Sequence, residues 1–74
     1  MGPKMYYVSI KGIYVLTTFS LQKATEYLEN YILEIITLHN YTYTYLPRAG
    51  EPFKRFEAFY NGQKVITAKI CVFW

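Results

Sequence analysis

Apolar and polar positions alternate along most of this chain, and in one stretch the period lengthens to that of a helix. Tyr6, Val8 and Ile10 alternate with Tyr7, Ser9 and Lys11, the two-residue period of a strand with one buried face. Lys11-Gly12 interrupts the run as a bulge or a tight hairpin turn, and the extended pattern resumes over residues 13–18. From Ser20 to about Leu38 the spacing predicts a helix. Leu21, Ala24, Leu28, Tyr31, Ile32, Ile35 and His39 fall on one arc, flanked by Tyr27, Ile36 and Leu38. Gln22, Lys23, Glu26, Glu29, Asn30 and Thr37 lie opposite, with Leu33 out of pattern among them. Ser20 suits the N-cap, because its hydroxyl can accept from the orphan amides of the first turn. Asn40 suits a left-handed C-terminal cap.

Past the helix, Tyr41, Tyr43 and Tyr45 alternate with Thr42 and Thr44, two residue types that favour strands. Residues 47–52 read as a loop. Residues 53–60, Asn61-Gly62 and residues 63–74 carry the clearest hairpin signal. A two-residue type I′ turn at Asn61-Gly62 would put Phe59, Glu57 and Arg55 on the same face as Ile66, Ala68, Ile70, Val72 and Trp74. Burying unpaired charge costs several kcal/mol. A three-residue loop with Gly62 in a left-handed bulge position instead puts Phe56 and Ala58 on that face, and is the expected register. Trp74 then completes the inward row and is expected to be buried. The fold class is α+β: one helix (about residues 20–38) packed on a four- to five-stranded, mainly antiparallel sheet in β(β)αβββ order. Residues 1–4 read as a leader or added remnant, and residues 5–74 as a single α+β domain.

Composition narrows the class. Hydrophobic residues make up 53% and aromatic residues 20% of 74 positions, which excludes a disordered chain. No apolar run is long enough to span a membrane, and no secretory signal pattern is present. The expected setting is intracellular and cytoplasmic, with no membrane partner. One cysteine, Cys71, allows no intrachain disulfide, so the domain must be held by packing, including packing against a second copy.

Charge separates by segment. Residues 20–39 hold Lys23 against Glu26, Glu29 and Glu34, a balance of −2. The remainder holds Lys4, Lys11, Arg48, Lys54, Arg55, Lys64 and Lys69 against Glu51 and Glu57, a balance of +5. A surface of one sign attracts polyanions, though charge also serves solubility alone.

Catalytic chemistry is thin. His39 and Cys71 could form a thiolate–imidazole pair, but no nucleophile elbow or oxyanion-hole glycines flank either residue. One Cys, one His and scattered Glu cannot build a four-ligand zinc site, and the four glycines are isolated. The expectation is no enzyme, no metal and no cofactor.

Binding remains. Tyr41, Tyr43 and Tyr45 project from one strand face; they either stack bases or cover the helix and a neighbouring strand, and the second reading is favoured. The outer hairpin face combines Arg55, Gln63 and Lys69 with Phe53, Phe59, Val65 and Phe73. More aromatic surface is present than one helix can cover, which predicts a homodimer paired through sheet faces or edge strands. The leading expectation is a small non-catalytic binding module, homodimeric, engaging a host or other partner protein through its aromatic-rich sheet face. Its size and composition suit a viral or mobile-element accessory protein. The alternative is a nucleic-acid-binding protein, with Arg48, Lys54, Arg55, Lys64 and Lys69 on phosphates and Tyr41, Tyr43, Tyr45 or Phe53 stacked on bases.

Overall fold

The computed structural model describes residues 4–47 and 53–73. The expectations for residues 1–3, for Arg48 and the loop around it, and for Trp74 lie outside the described residues.

Six elements follow in the order β1 (Met5–Ile10), β2 (Ile13–Thr18), α1 (Leu21–Leu38), β3 (Thr42–Leu46), β4 (Arg55–Tyr60) and β5 (Gln63–Phe73). The strands form one five-stranded antiparallel sheet in the order β2-β1-β5-β4-β3, with α1 packed on one face. This is the expected α+β class with the upper strand count. Eleven-residue β5 is the spine: Gln63 to Lys69 pair with β4, and Ala68 to Phe73 pair with β1. The two outer hairpins are therefore staggered along it. The molecule is correspondingly elongated, 45 × 20 × 19 Å.

Ser20 caps α1 as expected, its Oγ accepting from the Lys23 amide at 3.2 Å. Ala24, Leu28 and Ile32 are the buried stripe, half-buried Leu21, Tyr31, Ile35 and Ile36 pack beside it, and Leu33 is exposed. The C-terminal end differs from expectation. His39 is the cap in an extended conformation, its amide donating to the Ile35 carbonyl at 3.0 Å, and Asn40 is not left-handed. The chain still turns back there, bringing Tyr41 over His39 and the Tyr45 hydroxyl to Glu29, and it does so without a left-handed residue at the helix end.

The inward face of the sheet carries Tyr6, Val8, Phe56, Ala58, Ile66, Ala68 and Ile70, all buried against the helix stripe. Arg55, Glu57, Thr67 and Lys69 face the other way, as the expected register requires. Gln63, expected with them, pairs with Tyr60 next to the outward Phe59–Lys64 pair and so falls on the opposite face. The device that achieves this register is different from the expected one. Tyr60 pairs directly with Gln63, so the turn has two residues, Asn61 and Gly62, both left-handed with φ of 52° and 78°. Register shifts one step later: Phe59 pairs with Lys64 and Ala58 with Ile66, leaving Val65 as an unpaired bulge. A three-residue loop with the bulge at Gly62 is not formed. Asn-Gly readily adopts the left-handed pair of a type I′ turn, so the turn closes at two residues and the phase is corrected within the strand.

Candidate binding surfaces

Antiparallel pairing fixes which side chains share a row on the outward sheet face. One row runs through all five strands: Tyr14, Ser9, Lys69, Arg55 and Leu46, from β2 to β3. The next row toward the end of β5 holds Thr17, Tyr7 and Cys71, and beyond it Met5 pairs with Phe73. In the opposite direction lie Thr67, Glu57 and Thr44, then Lys64, Phe59 and Thr42. Lys11, in the first turn, donates its amide to the Thr67 carbonyl at 2.8 Å and so sits at the basic end. No described element covers this face.

The face is divided by chemistry. At one end Tyr7 is flanked edge-on by Tyr14 and Phe73, with ring centroids 5.3 and 4.7 Å away. At the other end are four cations and one acid. Lys64 donates to Glu57 at 3.0 Å in a partly exposed ion pair, an arrangement worth well under about 1 kcal/mol. Lys11, Arg55 and Lys69 have no carboxylate within ion-pair distance among the described residues.

The ten residues singled out in the sequence do not form one site. Arg55, Phe59, Lys64 and Lys69 share the outward face, with Phe53 beside Arg55 and Cys71 at its margin. Lys54 is occupied locally, its Nζ donating to the Pro47 carbonyl at 3.1 Å. The tyrosine row lies on the helix side of the sheet: Tyr43 pairs with Ala58 and Tyr45 with Phe56, both inward positions. The Tyr45 hydroxyl donates to Glu29 Oε2 at 2.7 Å, the Tyr43 ring lies 5.9 Å from Phe56, and Tyr41 stacks on His39 at 4.8 Å. Helix α1 packs on β1, β2 and β5. Over β3 and β4, Tyr41 and Tyr45 pack half-buried against the core, while Tyr43 stays 48% exposed beside Phe56.

Burial first, and the hydrogen bond to Glu29 second, hold the Tyr45 phenol well above its ordinary range. Tyr31 is raised too, by burial and then by the charges of Glu34 and Tyr41.

Tyr7 and Tyr14 belong to this candidate surface although sequence reasoning passed over them. Alternation with Ser9 and Lys11 turns Tyr7 outward, but nothing in β1 alone shows that Cys71 and Phe73 lie beside it. His39 and Cys71 do not meet; His39 caps the helix layer while Cys71 pairs with Tyr7 on the outward face. Among the described residues no cluster of three or more His, Cys, Asp or Glu could hold a metal ion. No described helix is long and apolar enough to cross a membrane.

A second surface is the β2 edge. Ile13, Tyr14, Val15 and nearby Phe19 are 66%, 56%, 41% and 62% exposed, and no charged residue occurs in β2. The chain matches no protein-family model, no curated protein and no solved structure.

Proposed function

We propose that this chain is a non-catalytic binding module that associates through the β2 edge, with a second copy of itself and with a partner protein. One observation carries the reading: four large apolar side chains are exposed within seven positions of an uncharged edge strand and its exit. Edge strands offer unpaired amides and carbonyls to any incoming strand, and proteins that remain monomeric blunt them with lysine, proline or a cover. β2 has neither lysine nor proline, and its Val15 bulge is the only such device in the strand. Around a two-fold axis a strand meets its own copy antiparallel, and an uncharged strand does so without like-charge repulsion. Contact through the tyrosine row is not part of this reading, because those rings belong to β3, at the opposite edge of the sheet from β2.

Sedimentation velocity at micromolar concentration is the test. The expected result is a dimer that Ile13→Lys with Val15→Lys converts to a folded monomer. A wild-type chain that sediments as a monomer up to about 100 μM removes the reading.

A further inference from the structure

We infer that the outward sheet face binds single-stranded nucleic acid, its phosphates held at the Lys11, Arg55 and Lys69 end and its bases laid on Tyr7 and Phe73. The inference is independent of the β2 edge.

Three observations converge on it. First, the basic end is recessed. A shallow groove of about 480 Å3 opens between the two hairpin turns; Lys11, Lys64 and Lys69 line it together with Ser9 and Thr67, and no carboxylate lines it. Lysine ammonium groups and hydroxyls are donors suited to phosphate oxygens. Second, three cations on this face are unneutralised by the described residues, while the acids Glu26, Glu29 and Glu34 sit on the helix across the sheet. A polyanion approaching the outward face meets net positive charge, and one approaching the helix meets net negative charge. Third, cations and rings stand in adjoining rows. Ser9 pairs with Lys69 and Lys69 with Arg55; two residues along the same strands, Tyr7 pairs with Cys71, and Phe73 is two residues further.

Side chains two residues apart on one face stand about 6.8 Å apart. A strand laid across the sheet can therefore keep its backbone on one row while its bases reach the next. Aromatic rings accept any base, since every base offers a π-face. In a duplex the bases are stacked on each other and withheld from the rings, so the aromatic half of the face selects single strands. This arrangement does not use the tyrosine row of β3.

The test is fluorescence anisotropy with a labelled oligothymidylate of about twelve nucleotides and with a duplex of equal length. Three phosphate contacts give a log–log salt slope near −2 on single strands, so affinity falls roughly twentyfold between 50 and 200 mM salt. Arg55→Gln with Lys69→Gln should weaken binding at least tenfold at 50 mM and flatten the slope below 1 in magnitude. Phe73→Ser should cost about fivefold or more on the single strand with the slope unchanged. Lys11→Gln, in a turn outside every strand, repeats the charge test should the double variant change the circular dichroism spectrum. Flat salt dependence, binding unchanged by the charge variants, or duplex bound as tightly as single strand would each overturn the inference. So would the absence of oligothymidylate binding at 50 mM salt. Ile13→Lys with Val15→Lys should leave per-chain affinity no lower than wild type, so failure of the edge reading and failure of this one are separately visible.

Discussion

The β1–β2 and β4–β5 hairpins are built alike and used differently. Each closes with two left-handed residues ending in glycine, Lys11-Gly12 and Asn61-Gly62, and each carries an unpaired valine three positions after that glycine, Val15 and Val65. In both, the bulge changes which face the following residues occupy, so Leu16 and Ile66 point inward although the turn alone would have turned them out. The second strand then diverges. After its bulge β5 runs on as the spine between β4 and β1, whereas β2 ends as an uncharged edge. The same local geometry thus makes a core in one place and an exposed edge in the other, and the neighbours decide which.

The largest expected effect tests that difference directly. Ile66 is buried and Leu16 half-buried at the equivalent position. Ile66→Ala should cost about 2–5 kcal/mol and Leu16→Ala about 1–2 kcal/mol, read by denaturant titration. Equal losses would mean that β2 is as much part of the core as β5.

The turns should exchange stability next. Lysine at φ 54° is strained, while asparagine tolerates the left-handed region. Lys11→Asn is expected to stabilise by about 0.5–1 kcal/mol, which raises the melting temperature by about 2–8 °C in a domain this small. Asn61→Lys should lower it by a similar amount. Deleting Val15 or Val65 should change stability by less than about 1 kcal/mol, because the ladder on either side of each bulge already has the register of a regular hairpin without that residue. A loss above about 2 kcal/mol on thermal melting would show that the added twist itself holds the sheet.

The smallest effect concerns pH and the tyrosine layer over β4. A phenol whose folded pKa is raised is favoured in its neutral form, so its contribution is whole below the ordinary value of 10.0 and is lost as pH climbs beyond it. The melting temperature should fall from about pH 10 upward. Tyr45→Phe should begin lower and fall less steeply over that range.

Much of the fold is legible in the chain because local signals agree: Ser20 before a helical arc, Asn61-Gly62 between alternating runs, and the penalty on burying Arg55 and Glu57. What escapes is whatever depends on distant neighbours. A bulged valine looks like any strand valine, so Val15 and Val65 carry no mark. Lys11-Gly12 is ambiguous because lysine disfavours the conformation it adopts. Alternation places Tyr41, Tyr43 and Tyr45 on one face, but only the pairing of Tyr43 with Ala58 says that this face is the covered one. The candidate surface is legible in its basic half, Arg55 and Lys69, and hidden in its aromatic half. Tyr7 gains meaning only when β1 lies beside β5.

That last pairing also sets the order of assembly. Met5 pairs with Phe73 and Ile10 with Ala68, contacts separated by about sixty residues of chain, whereas both hairpins and the helix close locally. Hairpins and helices form within microseconds, but joining β1 to β5 must overcome the loop entropy of nearly the whole domain. Folding should therefore run on the millisecond-to-second scale of non-local sheets, with the β1–β5 seam closing last. Until it closes, the β1–β2–α1 unit and the β4–β5 hairpin each keep an apolar edge open where the other will pack.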